Sequence, residues 1–144
     1  MSVDAFAHTF LVAAPPARVF EHLADPHSYV GLSPLVVAVR DVRADGDQVS
    51  YVALERFRFW TNPIRVTMTL DPAAPAVVSD VVSPGRVRLR AAVTLAPSGA
   101  GTEVTETITV DSPSLLRRYV VRTARSVQLR RAAELTRRMA DRPA

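Results

Sequence analysis

A chain of 144 residues, 48% hydrophobic and 22% charged, is long enough to bury one continuous core and too apolar for a disordered tail. It contains no cysteine, which excludes disulfides, thiolate catalysis and cysteine-based zinc sites. The formal charge is +4 and all 18 basic side chains are arginine, so Schiff-base chemistry, which needs a primary amine, is excluded too.

AFAHTFLVAA, residues 5–14, has the content of a strand and stops at Pro15-Pro16. A proline is tolerated in the first turn of a helix, so PPARVFEHLAD predicts a short helix with Val19, Phe20 and Leu23 on one side. Asp25 is a good N-cap for a second short helix through Tyr29 and Val30, ended by Gly31 to Pro34. From residue 35 the period changes to two. LVVAVRDVRADGDQVSYVALERFRFW reads as a strand, an Asp45-Gly46 hairpin turn and a second strand running to Trp60. Asn62-Pro63 is the next expected break. IRVTMTL then places Ile64, Val66, Met68 and Leu70 on one face.

AVVSDVVS is a short strand before Pro84-Gly85, and RVRLRAAVTL alternates Val87, Leu89, Ala91, Val93 and Leu95 with arginines. TEVTETITV puts Val104, Glu106, Ile108 and Val110 together. Ser112 is the expected N-cap of a last helix with Pro113 at its first position. SLLRRYVVRTARSVQLRRAAELTRRMADR keeps helical spacing, with Leu116, Val120, Ala124, Val127, Leu135 and Met139 recurring every three or four residues.

The order is strand, two short helices, about six antiparallel strands and one long helix, with no repeat or linker: one α+β domain over residues 1–144. A curved sheet must cover its apolar face, and the long helix is the available cover. A bent sheet gripping a helix leaves a cavity between them. No apolar run approaches the roughly 20 residues of a bilayer span, and MSVDAFAHTF lacks the basic start and apolar core of a secretory signal. A cytoplasmic protein is expected.

Phe10 to Tyr29, FLVAAPPARVFEHLADPHSY, resembles the opening of bacterial polyketide cyclase/dehydrase-like members of the SRPBCC superfamily, which has the START-like or helix-grip fold. GTEVTETITV and the long closing helix extend the likeness over nearly the whole chain. The resemblance implies a curved sheet of about six to seven strands around the C-terminal helix. It also implies a pocket for hydrophobic or amphipathic molecules such as polyketides, sterols or acyl chains; no cofactor is expected, because no phosphate-binding or dinucleotide motif is present.

On the inward face of the third strand Val49, Tyr51, Ala53, Glu55, Phe57 and Phe59 are expected; Glu106 is expected inward on the last strand. Carboxylates facing an apolar cavity gain raised pKa values and can serve as general acid or base. Alternatively each pairs with an arginine. The candidate catalytic set is Glu55 and Glu106 as acid or base, with Tyr51 as hydrogen-bond donor. Phe57, Phe59, Trp60, Met68, Leu89, Ile108, Tyr119 and Thr123 are the candidate ligand-binding wall. His8, His22 and His27 match no metal-ligand spacing, so no metal is expected. There is no phosphate loop, dinucleotide fingerprint or nucleophile elbow.

Nine of the 18 arginines lie between Arg117 and Arg142. They fit a solvated helix face, or a docking site for an acidic acyl carrier protein; nucleic-acid binding is unsupported by any accompanying motif. Three functions stay open: a cyclase or dehydratase that confines its substrate in the cavity, a non-catalytic carrier or sensor of a lipid-like ligand, and, third in order, an arginine-rich nucleic-acid or protein-interaction module. A monomer and a homodimer are equally compatible with the sequence.

Overall fold

The computed structural model describes residues 1–140. In chain order its elements are β1 (Ser2–Val12), α1 (Pro16–Ala24), a 3-10 turn (Pro26–Ser28), α2 (Tyr29–Leu32), β2 (Val36–Asp45), β3 (Gln48–Arg56), β4 (Thr61–Asp71), β5 (Ala76–Ser83), β6 (Val87–Ser98), β7 (Gly101–Ser112), a second 3-10 turn (Ser114–Leu116) and α3 (Arg117–Ala140). The strands form one antiparallel sheet in the order β1-β7-β6-β5-β4-β3-β2. This curved sheet around a long terminal helix is the helix-grip fold. Asp141 and Arg142, read from sequence as the end of the helix, lie outside the described residues.

Period-two alternation decides which face of each strand is covered. In β7, Val104, Glu106, Ile108 and Val110 are buried while Glu103 and Thr107 are exposed. On α3 the buried residues are Ala124, Gln128, Ala132, Leu135 and Met139, one stripe at spacings of three and four. Leu135 and Met139 pack with Val19, Leu23, Leu32, Met68 and Val104 in the main core. Ile108, Val110 and Ala124 form a second cluster with Phe6, Leu89 and Val120. The inward stripe of α3 is largely small or polar, so the helix cannot fill the concavity of the sheet along its whole length.

Arg138 ties the two short helices to α3. It donates to the carbonyls of Ser28 (2.6 Å) and Val30 (3.1 Å), approaches His22 Nε2 (3.2 Å) and pairs with Glu134 (2.8 Å). Asp25 accepts from the His27 amide at 3.0 Å and so caps the 3-10 turn. His22 and Asp25 are therefore occupied in holding the segment that carries Tyr29 and Ser33.

Several boundaries differ from the sequence expectations; β1 spans Ser2–Val12 rather than residues 5–14. β3 stops at Arg56, not Trp60: the Phe57 amide donates to the Trp60 carbonyl at 2.8 Å and closes a turn. Within that turn Phe57 stacks on Trp60, ring centroids 5.4 Å apart, and Arg58 lies 5.2 Å from the Phe59 ring centre. Asn62-Pro63 is not a break but part of β4. Pro63 pairs with Leu54 on β3, while β5 begins pairing only at Arg65, so β5 places no demand on the missing N–H. Finally, Ser112 remains in β7 opposite Ser2, and the helical segment starts with the 3-10 turn after Pro113.

Candidate functional site

A cavity of about 360 Å³ lies between the sheet and α3, within the range of small-molecule sites, roughly 300–1,000 Å³. Val66 of β4, Val81 of β5, Leu89 and Val93 of β6 and Ile108 of β7 face Val120 and Val127 of α3 across it. Ala53, Ala91 and Ala124 also line it; larger side chains at these points would project into the space. Among the lining residues Pro84, Leu116 and Tyr119 are exposed, so the cavity reaches solvent between the β5–β6 turn and the start of α3.

The charged groups are Glu55, Glu106 and Arg131, with Tyr29, Ser33 and Tyr51 near them; Ser79, Ser83, Tyr119 and Thr123 add hydroxyls elsewhere on the wall. Arg131 Nη2 donates to Glu106 Oε1 at 2.8 Å and Nη1 to Ser33 Oγ at 3.1 Å. One turn back on α3, Gln128 donates to the Glu106 backbone carbonyl (3.1 Å) and accepts from Arg125 (2.8 Å). Burial alone would lower the Arg131 pKa. The Glu106 charge and hydrogen bond, helped by Tyr29 and Tyr51, outweigh that and hold it above its ordinary value. The result is a permanent cation on the cavity wall.

Glu55 differs from Glu106. Among the described residues its carboxyl has no hydrogen bond or ion pair, although its backbone pairs in the sheet. Burial pushes its carboxyl above the ordinary value, and the Arg131 charge counters this only in part. Tyr51 stacks against Tyr29 with centroids 6.4 Å apart. The Tyr29 hydroxyl is spent on the Leu23 carbonyl (2.8 Å), whereas the Tyr51 hydroxyl has no partner among the described residues. Burial raises both phenols, with Tyr51 adding to the shift at Tyr29 and Arg131 opposing it at Tyr51. Both are therefore neutral O–H groups near neutral pH. The inner part of the site offers one unpaired carboxyl at Glu55, the free Tyr51 phenol and one fixed cation on a mostly apolar wall.

Residues 4–142 match the model of a family described as polyketide cyclase / dehydrase and lipid transport. The chain belongs to this family. Its fold is shared by the Zhui aromatase/cyclase from Streptomyces sp. R1128, with a TM-score of 0.76, 18% identity and 95% of this chain covering 96% of that one. A START superfamily protein from Mycobacterium smegmatis aligns with a TM-score of 0.77 at 14% identity, over 94% of this chain and 97% of its own. Norcoclaurine synthase from Thalictrum flavum, in complex with dopamine and hydroxybenzaldehyde, gives a TM-score of 0.75 at 11% identity, covering 99% and 90% respectively. At these identities the likeness is one of fold. No curated protein matches the sequence.

In this member of the polyketide cyclase / dehydrase and lipid transport family, Tyr51, Glu55, Phe57, Leu89, Glu106, Ile108, Tyr119 and Thr123 all line the cavity. Three expected wall residues do not. Phe59 and Trp60 are 80% and 59% exposed because the strand ends before them and the turn carries them outward. Met68 is inward as alternation requires, but lies wholly buried in the main core, one inward position beyond Val66. Glu106 takes the second of the two readings open to it, as the partner of an arginine. Sequence reasoning missed Arg131. Its position continues the stripe Ala124, Gln128 and Leu135, a signal hidden by treating the helix arginines as solvated.

Glu55 has a testable cost. Its folded pKa is raised, so the stability it contributes is present below the ordinary carboxyl range and lost as pH rises through the raised value. Glu55→Gln cannot ionise. The variant should match wild type in urea unfolding at about pH 4 and be more stable than it at about pH 8, well above the ordinary carboxyl range.

Proposed function

We propose that the protein binds a hydrophobic aromatic or polyketide-like molecule in the cavity and promotes its cyclisation or dehydration, with Glu55 as acid and base. The observation that carries this reading is an unpaired carboxyl of raised pKa inside a largely apolar cavity that also holds the free Tyr51 phenol. A general base works best with a pKa near the operating pH, and burial moves Glu55 in that direction.

The chemistry closes on the substrate and Glu55 alone. The Glu55 carboxylate removes a proton from a carbon flanked by carbonyls. The enolate carbon attacks a second carbonyl of the same chain, forming the ring bond and an alkoxide. Glu55 returns the proton to that oxygen. A second proton removal beside the new hydroxyl expels it as water, again with Glu55 carrying the proton. Tyr51 donates to the carbonyl oxygen where negative charge develops, and the Arg131 cation favours that charge through space. The apolar walls hold the flexible chain folded, which supplies the proximity. Glu106 acts by holding Arg131.

A carrier or sensor would use the same cavity without proton transfer. Turnover of a 1,3-diketone-bearing aromatic precursor, measured with its affinity in wild type and Glu55→Gln, separates the two. The enzyme loses turnover and keeps affinity, whereas a carrier binds in both and turns over in neither.

A further inference from the structure

The cavity opens among side chains that the fold leaves uncovered. Phe57 lines the cavity and stacks on Trp60, and beside them Phe59 is 80% exposed. Leu116 of the second 3-10 turn and Tyr119 of α3 line it, and the adjoining Leu115 is 99% exposed. A phenylalanine, a tryptophan and a leucine thus stand in water on segments that bound one opening, the kind of exposed apolar surface that marks an interaction site.

Charge on the same segments has one sign. From Arg56 to Arg65 there are three arginines and no acid; from Pro113 to Ala133 there are six and no acid. The β5–β6 turn between the lining residues Pro84 and Val87 carries Arg86, also exposed. Arg117 is neutralised by Asp4 at 2.8 Å and Arg131 by Glu106, but Arg58, Arg86 and Arg118 are exposed with no acidic partner among the described residues. The occupant must therefore be both anionic and able to accept protruding apolar tips.

A lipid interface meets both requirements. It receives single aromatic and leucine side chains without a shaped pocket, while arginines stay at the phosphates. A protein partner would need a matching concavity for each tip. We propose that the cavity mouth docks on an anionic lipid surface, with Phe59, Trp60 and Leu115 entering the headgroup region and Arg58, Arg86 and Arg118 facing the phosphates. The opening between Pro84, Leu116 and Tyr119 then faces the bilayer, so an apolar molecule passes between membrane and cavity without crossing water. The docking does not depend on what the cavity does to its ligand.

Trp60 is the only tryptophan in the chain, so its emission reports on the mouth alone. With vesicles of equal parts phosphatidylglycerol and phosphatidylcholine, the emission should shift to shorter wavelength and the protein should float with the vesicles; pure phosphatidylcholine should do neither. A Phe59→Ser, Leu115→Ser double variant, both sites exposed and off the cavity wall, should keep its circular dichroism and lose the shift. Arg58→Gln with Arg118→Gln should weaken binding about tenfold or more, by the usual contribution of arginines near an anionic surface. Unmoved Trp60 emission and no flotation with the anionic vesicles overturns the proposal. So does a shift produced only by an acidic acyl carrier protein, or only by raising the protein's own concentration, which would assign the mouth to a protein partner or to a second copy.

Discussion

Replacing Glu55 by glutamine should lower turnover by about 10²–10⁴-fold, the usual contribution of a positioned acid–base group, with ligand affinity nearly unchanged. The substitution keeps size and hydrogen-bonding capacity and removes only the ability to carry a proton. Wild-type rate should rise with pH through an apparent pKa above the ordinary carboxylate value, because burial raises Glu55 against a partial opposing pull from Arg131. In Glu55→Gln that limb should disappear. Glu55→Asp, which withdraws the carboxyl by one methylene, should recover part of the rate and keep a pH limb. Stopped assays across the acidic range with affinity measured in parallel test this; equal rates in wild type and Glu55→Gln would remove Glu55 from the chemistry.

Arg131→Ala should destabilise the fold by about 2–4 kcal/mol. Breaking a buried ion pair by deleting one partner typically costs about 3–5 kcal/mol, since a charge is left without its counter-ion. Here the Glu106 side chain is 10% exposed and borders a cavity open to solvent, which trims the loss. The same substitution frees Ser33 Oγ. Pairing Arg131→Ala with Glu106→Gln should return at least about half of the lost stability, because the stranded charge is gone. Arg131→Lys should fall between, keeping the cation without the planar fork that reaches Glu106 and Ser33 together. Urea unfolding of the four proteins decides this. A double variant no more stable than Arg131→Ala would mean that packing, not charge, is what Arg131 supplies.

Where local chemistry dictates structure, the fold was legible before any coordinates. Pro15-Pro16 marked the start of α1, Asp25 the cap of the following turn, and the alternation of Val87 to Leu95 and Val104 to Val110 the covered faces of β6 and β7. Glu55 and Tyr51 were found by the same period-two rule, and both line the cavity.

The failures have the opposite cause. Phe57, Arg58, Phe59 and Trp60 continue the alternation of β3, but the turn is decided by where β4 must reverse to pair, which no local pattern records. Met68 and Val66 are equivalent in sequence and both belong to the main core, yet only Val66 also reaches the cavity wall, a difference that no local pattern records. Arg131 was hidden by composition. In a chain whose every basic residue is arginine, identity no longer distinguishes a buried fork from a solvated charge, and only the three-to-four spacing with Ala124, Gln128 and Leu135 does.

The central claim is that the space between sheet and helix is a binding site for an apolar molecule. Titration of the neutral fluorescent probe N-phenyl-1-naphthylamine tests it most directly, using wild type and Ala91→Trp, a variant whose indole enters the cavity from β6. Saturable one-to-one enhancement in wild type, weakened at least about tenfold in a folded Ala91→Trp, is the predicted result. Equal enhancement in both proteins, or none in wild type, would contradict it.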